Sequence, residues 1–408
     1  MPDTWNGKLV VAGASGTRSE FNGDWAWSDY VLQEGYAYAS QNKGVLNLYL
    51  LSLTDPYYVN ETGADPLACR DNPDPSSADS SLWVHFYDNG PGKQFTEWTK
   101  YIIETGKLAQ GVAGALYGYA PHKTYVVGTS NGGYQVRRAV EEAPDVFDGG
   151  VDWEGTFINP FGNILISLPP AIKNFPAYAA SNYDPNSDAA RDIIAAGYPP
   201  DIVTRDSTGN EVASLWGNYF DHFWEVTMCQ WQKRFDPTYN TYGDLHTNFA
   251  GNLPHYNYAA RVFQTNVAQN LAQVTTTGRI RRPLITVAGT MDALLPIKDQ
   301  ARAYERSVDF WLNFGDDDHR KVEYRLYEVQ NGNHIEGYVC TTAPCATGTT
   351  ASFPQLQLIQ PHAQKAFELL VNFVEKGDSL PPSQCIPKGA QITTHPSETG
   401  HCQDLFVP

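Results

Sequence analysis

Short apolar runs alternate with longer amphipathic stretches along most of the chain. Each apolar run is only a few residues long, and several are rich in β-branched side chains, which is typical of buried strands. The stretches between them repeat their apolar residues at helical spacing. The predicted strands are 8–12, 36–40, 125–129, 147–154, 283–291 and 324–329, and the predicted helices are 31–35, 93–119, 135–140, 297–311 and 355–375. Strands that alternate with helices form a mainly parallel sheet with helices on both faces, so the predicted fold class is α/β.

Residues 156–277 interrupt this rhythm. They contain Leu-Pro-Pro and Tyr-Pro-Pro motifs and many aromatic residues, and no clear strand is predicted among them. We interpret this region as an inserted, mainly helical lid, with residues 1–155 and 278–376 forming the two parts of the core. Residues 377–408 contain two adjacent prolines and two cysteines, which predict an extended surface tail that a disulfide ties down.

The charge balance limits the partners of the protein. The 408 residues include 28 Lys and Arg against 45 Asp and Glu, which gives a formal net charge of −17. Nucleic acid and anionic membranes would be repelled by this charge, and no apolar run reaches the roughly 18 residues that span a bilayer. We therefore expect the partner to be a small or oligomeric uncharged substrate, and neither nucleic acid nor a membrane. The protein itself is expected to be a monomer or a homodimer.

The six cysteines predict a disulfide-bonded, secreted protein. Six cysteines allow 15 pairings, and proximity along the chain favours three bridges. These are Cys340 with Cys345, Cys385 with Cys402, and the remaining pair Cys69 with Cys229. Asn60-Glu61-Thr62 is a glycosylation sequon, which fits the same interpretation. The first residues lack the apolar core of a signal peptide, so we expect the numbering to describe a mature protein.

Ser130 lies between a predicted strand and a predicted helix, with Gly128 and Gly132 two positions to either side. Glycines lack the Cβ atoms that would clash in a sharp strand-to-helix turn. The spacing G-x-S-x-G in this context predicts a nucleophile elbow, which exposes the serine hydroxyl at the tip of the turn. A serine in such a turn needs a base to accept its proton and a third group to orient that base.

Asp292 and His334 each come just after the end of a predicted strand. In a parallel sheet these strand ends share one edge with Ser130, so the three residues form a candidate catalytic triad in the order Ser, Asp, His. Asp152 and Glu154, at the end of the predicted strand after the elbow helix, are alternatives for the acid. The other histidines do not follow a predicted strand in this way.

Further site residues are predicted from their positions near the elbow. The backbone N–H of Asn131 and that of Ala14 or Ser15, in the small-residue loop after the first strand, are candidate oxyanion donors. Four residues are predicted to contact substrate, two beside the elbow and two in the aromatic lid. These are Trp153, Glu154, Trp216 and Trp224.

Three motifs, at residues 128–133, 288–292 and 332–334, resemble the α/β-hydrolase superfamily. The elbow sequence Ser-Asn-Gly-Gly is similar to that of the tannase and feruloyl esterase group and of the secreted 3-hydroxybutyrate oligomer hydrolases. The resemblance covers about residues 5–155 and 280–375. It implies an α/β-hydrolase fold with an inserted lid and a serine esterase that works without a cofactor.

The chain departs from the tannase and feruloyl esterase pattern at two positions. That pattern places a cysteine before both the serine and the histidine and joins the two as a disulfide, whereas Thr129 and Asn333 stand there in this chain. Those esterases also hold calcium in the lid. Residues 184–188, Asp-Pro-Asn-Ser-Asp, offer oxygen ligands at alternate positions, although the same sequence is typical of a turn.

The function predicted from these observations is that of a secreted serine carboxylic-ester hydrolase that forms an acyl-enzyme intermediate. The expected substrates are aromatic esters, or hydroxyalkanoate oligomers and related polyesters. A serine peptidase of the prolyl-oligopeptidase type would use the same triad and is one alternative. An inactive binding protein on a hydrolase scaffold is the other.

Overall fold

A computed structural model describes residues 2–16, 25–43, 51–52, 69–70, 82–84, 95–239, 253–316, 321–339 and 352–408. The strands are β1 (Lys8–Gly13), β2 (Ala37–Ser40), β3 (Leu51–Ser52), β4 (Cys69–Arg70), β5 (Leu82–Val84), β6 (Lys123–Thr129), β7 (Gly149–Trp153), β8 (Val203–Arg205), β9 (Glu211–Ser214), β10 (Leu284–Gly289), β11 (Tyr324–Val329) and β12 (Gln384–Ile386). The α-helices are α1 (Trp25–Gln33), α2 (Thr96–Tyr117), α3 (Asn131–Glu142), α4 (Ile164–Ala180), α5 (Asp188–Ala195), α6 (Leu215–Tyr219), α7 (Glu225–Phe235), α8 (Tyr258–Gln264), α9 (Val267–Ala272), α10 (Ala301–Phe314) and α11 (Gln360–Lys376). A π-helix (Phe220–Trp224) joins α6 to α7.

Seven strands form one sheet in the order β12-β11-β10-β7-β6-β1-β2, and every neighbouring pair is parallel. The chain order reverses at β1, because β2 lies on one side of it and β6 on the other. In open α/β sheets ligands bind at the carboxyl ends of the strands near such a reversal. Ser130 directly follows β6 and therefore lies at this point. The strand order confirms the predicted α/β-hydrolase fold.

Alternate residues of the central strands enter two different apolar clusters, one on each face of the sheet. In β1, Leu9 and Val11 belong to one cluster, while Val10 and Ala12 belong to the other. The first cluster also contains residues of α3 and α10, and the second contains residues of α1 and α11. Burial on both faces explains why these strands are almost uniformly apolar in sequence.

The predicted lid region folds mainly as helices α4 to α9, but it also contains a strand pair that the sequence analysis missed. β8 and β9 pair antiparallel. The turn between them is held by Asp206, whose Oδ1 accepts backbone N–H groups from Thr208 and Asn210, and Gly209 adopts a φ of +86°. Strands of three and four residues carry too little hydrophobic pattern to be recognised from sequence.

A disulfide between Cys69 and Cys229 links β4 to α7, which confirms that predicted pair. Both cysteines are fully buried in the same apolar cluster as the lid helices. The β4 strand belongs to a small antiparallel sheet with the order β3-β5-β4. The disulfide therefore joins the segment before α2 to a helix of the lid, 160 residues further along the chain.

The prediction of an extended surface tail is wrong for residues 384–386, which form the seventh strand of the main sheet beside β11. Cys385 is buried in this strand, and its predicted disulfide with Cys402 is confirmed. Beyond the strand, His401 Nδ1 lies 2.8 Å from Glu328 Oε1, and the backbone N–H of Cys402 donates to Glu328 Oε2. The strand is only three residues long and has no apolar periodicity of its own, so its pairing depends on β11.

Two predictions fall outside the described residues: glycosylation of Asn60 and the disulfide between Cys340 and Cys345. Among the residues that are described, no helix combines the length and the apolar character needed to cross a membrane.

Candidate active site

Ser130 has a strained backbone conformation between β6 and α3. Its φ is 59° and its ψ is −121°, a region that costs a non-glycine residue roughly 1–3 kcal/mol. Three backbone hydrogen bonds hold it there. Ser130 N–H donates to Trp153 O at 2.9 Å, and Ser130 O accepts the N–H groups of Tyr134 at 3.1 Å and Thr156 at 3.3 Å. The backbone thus has the shape of a nucleophile elbow, with Ser130 at the sharp turn from strand to helix.

The glycines around Ser130 are required by close backbone approaches. A Cβ atom on Gly128 would lie 2.4 Å from the carbonyl oxygen of Gly132, and a Cβ on Gly132 would lie 2.4 Å from the carbonyl oxygen of Gly13. Neither neighbour can move aside, because both contacts are with backbone atoms. The G-x-S-x-G spacing therefore has a steric cause. The glycines allow the end of β1 to pack closely against the start of α3.

Asp292 and His334 meet at the carboxyl edge of the sheet. His334 Nδ1 lies 2.8 Å from Asp292 Oδ2, and an ionised carboxylate only accepts hydrogen bonds, so Nδ1 carries the proton and donates it. Asp292 Oδ1 accepts two backbone N–H groups, from Leu294 at 2.8 Å and Leu295 at 2.7 Å. These donors fix the carboxylate and stabilise its charge. Nε2 is then the ring nitrogen that can accept a proton from a nucleophile.

The two alternative acids, Asp152 and Glu154, have different partners in the structure. Asp152 is fully buried and bound elsewhere: Arg137 Nε donates to its Oδ2 at 2.6 Å, and Thr286 Oγ1 donates to the same atom at 2.9 Å. Glu154, in contrast, does reach the histidine, with its Oε2 3.5 Å from His334 Nδ1. Asp292 makes the shorter contact and is the hydrogen-bonded partner of His334 in this structure.

A short chain of contacts links Ser130 to His334. Ser130 is hydrogen-bonded through its backbone to Trp153, and the next residue, Glu154, contacts His334. In the part of the chain that the structure describes, the Ser130 hydroxyl is not hydrogen-bonded to His334. Catalytic hydrogen bonds of this kind are often long without substrate and tighten when it binds. Ser130 is 8% exposed.

The two candidates for the second oxyanion donor are no longer equivalent. Ala14 N–H donates to the side chain of Gln135, Oε1, at 2.9 Å in a buried hydrogen bond. That amide is used inside the protein, which counts against Ala14 as an oxyanion donor. Asn131, the first candidate donor, begins α3 directly after Ser130, where backbone N–H groups have no partner within the helix. Oxyanion binding by Asn131 and Ser15 stays a prediction.

Asn333 and Tyr219 are site residues whose roles sequence reasoning missed. Asn333 is fully buried; its Nδ2 donates to Met291 O at 2.5 Å, and its Oδ1 accepts the hydroxyl of Tyr219 at 2.7 Å. One side chain therefore connects the loop before Asp292, the loop before His334 and helix α6 of the lid. Asn333 stands where the tannase pattern has a cysteine, and hydrogen bonds here fix the histidine loop.

We expect Tyr219→Phe to lower the free energy of unfolding by about 1 kcal/mol, the usual value of one neutral hydrogen bond. The loss of the hydroxyl also loosens Asn333 and should lower kcat several-fold, with little change in KM. Denaturant unfolding and steady-state kinetics check both numbers.

Tyr338→Phe is the matched control for this change. Tyr338 is equally buried and packs against Tyr219, but its hydroxyl has no hydrogen-bond partner among the described residues. Equal effects of the two changes would contradict the role of Tyr219.

The three predicted substrate-binding tryptophans lie in the protein interior. Trp216 and Trp224 are at most 1% exposed, and their indole N–H groups donate to Pro199 O at 3.1 Å and Ala293 O at 2.7 Å. Trp153 packs against Trp27 on the sheet. Trp224 thus connects the lid to the loop after Asp292, and burial favours a supporting role for all three rings. Direct contact with substrate stays a prediction.

The segment predicted as a possible calcium loop forms a turn and a helix start. Asp184 Oδ1 accepts Asn186 N–H at 2.9 Å, and Ser187 caps α5 by accepting Ala190 N–H at 3.2 Å. These bonds use two of the oxygens that a calcium ion would need. Calcium binding at residues 184–188 stays a prediction.

Comparison with known proteins supports the resemblance inferred from the motifs. A family model described as 3HB-oligomer hydrolase matches residues 238–400. This range includes Asp292 and His334 but not Ser130. The chain resembles the 3HB-oligomer hydrolases. A D-(-)-3-hydroxybutyrate oligomer hydrolase from Ralstonia nicotianae is 30% identical over 145 residues, which is 35% of this chain and 18% of that protein.

Other relatives show the same limited coverage. A hydrolase of the same name from Ralstonia pickettii is 30% identical over 143 residues, or 34% of this chain and 17% of that protein. The chain thus matches less than a fifth of the length of these relatives. Among solved structures, feruloyl esterase B from Aspergillus oryzae aligns with 92% of this chain and 76% of its own, at 14% identity and a TM-score of 0.47. Tannin acyl hydrolase from Aspergillus niger aligns with 92% and 74%, at 14% identity and a TM-score of 0.40.

Proposed function

We propose that the protein is a serine carboxylic-ester hydrolase. The observation that carries the proposal is the 2.8 Å contact between His334 Nδ1 and Asp292 Oδ2, beside a strained serine elbow on the same edge of the sheet. A buried carboxylate that accepts the Nδ1–H bond leaves Nε2 as the ring nitrogen that can act as a base toward Ser130. The family match over residues 238–400, whose printed name is that of an ester-cleaving enzyme, gives independent support.

In the proposed mechanism Ser130 Oγ attacks the ester carbonyl carbon while His334 Nε2 accepts its proton. The C–O bond to the alcohol breaks as the same proton passes to the leaving oxygen, which leaves an acyl group on Ser130. Water then attacks the acyl carbon, gives one proton to Nε2 and releases the acid, and His334 returns the proton to Ser130. Asp292 stabilises the imidazolium form in both halves of the reaction. The N–H groups of Asn131 and Ser15 would bind the oxyanion.

For the substrate we propose short oligomers of 3-hydroxybutyrate, with aromatic esters such as feruloyl or galloyl esters as the second class. The family model and the Ralstonia relatives support the first class through their names.

We further propose that the protein is secreted. Two disulfides within the described residues support this, because disulfides persist in oxidising compartments.

A hydrolysis panel tests this proposal with purified protein. We expect D-(-)-3-hydroxybutyrate dimers and trimers to be cleaved with a higher kcat/KM than methyl ferulate, methyl gallate and p-nitrophenyl butyrate. Chromatography of the released acids gives the rates. Faster cleavage of methyl ferulate or methyl gallate would replace the first substrate class by the second. No cleavage of any ester in the panel would contradict the proposed function itself.

A further inference from the structure

Glu154 is held by the fold in an unusual position beside the candidate triad. Its φ is 51°, a left-handed conformation that costs a non-glycine residue energy and is concentrated at functional sites. Its backbone N–H donates to Val287 O at 2.8 Å, which anchors it to the end of β10. Two adjacent strands therefore end in strained non-glycine residues, Ser130 and Glu154.

The carboxyl group of Glu154 is directed at His334. Its Oε1 accepts the N–H of Gly289 at 3.1 Å, and a Cβ atom on Gly289 would lie only 2.8 Å from that oxygen. Its Oε2 lies 3.5 Å from His334 Nδ1 and is buried, with no hydrogen-bond partner in the described part of the chain. The residue is 3% exposed. The second oxygen thus faces the same ring nitrogen that Asp292 binds.

Two carboxyl groups beside one ring nitrogen cannot both be ionised without a large cost. One carboxylate oxygen of Glu154, one of Asp292 and one ring nitrogen of His334 all lie within 4.8 Å of one another. Burial, and then the charge of Asp292, raise the pKa of Glu154 well above its ordinary value. The charge of Glu336 raises this pKa further, whereas the Gly289 N–H and the Trp153 side chain lower it. The charges of Asp292 and Glu154 in turn raise the pKa of Tyr219. Asp292 Oδ1 accepts two backbone N–H bonds and Glu154 Oε1 accepts one, so the hydrogen bonds favour a single negative charge on Asp292.

We propose that Glu154 is a positioning residue for His334: a protonated second carboxyl group that keeps one negative charge beside the ring and replaces Asp292 when that residue is lost. This role rests on the proposed serine-hydrolase function. In the intact protein the proton stays on Glu154, and His334 Nδ1–H donates to Asp292. Without Asp292, Glu154 releases its proton to solvent, and its carboxylate accepts the Nδ1–H bond instead.

The first test compares Asp292→Ala with the double variant Asp292→Ala/Glu154→Gln. We expect Asp292→Ala to lower kcat by about 10²-fold, because Glu154 still fixes the ring. The double variant should lose about 10⁴-fold, as is usual when the histidine has no acid. Glu154→Gln alone, in the presence of Asp292, should lower kcat less than about 10-fold. Thermal unfolding of each variant shows that the comparison is between folded proteins.

The second test is the pH dependence of kcat/KM for Glu154→Gln, which does not require the double variant to fold. Glutamine has the same charge as a protonated glutamic acid, so the acidic limb of the profile should stay at the same pH. If Glu154 were ionised, glutamine would remove a negative charge beside His334. The ring would then lose its proton more readily, and the limb would move to lower pH.

The results that overturn the proposal differ from those that overturn the function. Equal activities of Asp292→Ala and the double variant, or an acidic limb that moves down in Glu154→Gln, would overturn the role of Glu154 while wild-type hydrolysis stands. A wild-type protein that cleaves no ester in the panel would overturn the serine-hydrolase function, and the role of Glu154 with it.

Discussion

Ser130→Ala is expected to abolish ester hydrolysis, with kcat lower by about 10⁵–10⁶-fold, as when a serine nucleophile is removed from a triad. The reason is chemical, since alanine has no atom that can form the acyl-enzyme. KM should change little, because the hydroxyl contributes little to substrate binding before the reaction. The unfolding midpoint should stay the same, because the strained backbone at residue 130 is kept and no described side chain loses a hydrogen bond.

Ser307→Ala is the matched control for this change. Ser307 lies in α10 and its hydroxyl donates to Ala303 O within the same helix, away from the carboxyl edge of the sheet. We expect full activity from this variant. If Ser130→Ala kept more than a few per cent of wild-type activity while remaining folded, the acyl-enzyme mechanism would be contradicted.

Arg137→Met should have the largest effect on stability. Arg137 and Asp152 are both fully buried and joined at 2.6 Å, and the guanidinium lies 4.2 Å from the centre of the Tyr304 ring. Loss of the arginine leaves the Asp152 carboxylate buried with only Thr286 as a side-chain donor. Breaking a buried ion pair on one side costs about 3–5 kcal/mol, so the free energy of unfolding, measured in denaturant, should fall by that amount.

The double variant Arg137→Met/Asp152→Leu tests whether the lost stability comes from the unpaired charge of Asp152 or from the lost packing of Arg137. Replacing both partners of a buried pair by apolar residues is often close to neutral, so this variant should recover most of the lost stability. If it is as unstable as Arg137→Met alone, packing of the arginine against Tyr304 is the cause and the ion-pair explanation is wrong.

The central sheet could be predicted from the sequence because its strands are buried on both faces. The run Leu284–Gly289 is apolar at nearly every position, and such runs are recognisable without neighbours. The β8–β9 pair and β12 could not be predicted in the same way. Their strands are three or four residues long, and their pairing depends on a turn held by Asp206 and on the exposed edge of β11.

The candidate site was predictable in its residue types and less so in its contacts. Ser130, Asp292 and His334 follow three strand ends, and parallel strands bring such ends together. Nothing in the sequence distinguishes Asp152 from Glu154, because both lie at the end of one predicted strand. Their separation depends on Arg137, which binds Asp152, and on the left-handed backbone of Glu154. The hydroxyl of Tyr219 reaches Asn333 across 114 residues of sequence, a contact that only the folded lid creates.

The most direct test of the central claim is the reaction of the folded wild-type protein with a fluorophosphonate, followed by mass spectrometry of its peptides. This reagent forms a covalent adduct with a serine that a neighbouring base activates. We predict a single adduct, on Ser130, that is lost in Ser130→Ala and strongly reduced in His334→Ala. No adduct on Ser130 in folded protein, or an adduct on a different serine, would contradict the proposed serine-hydrolase function.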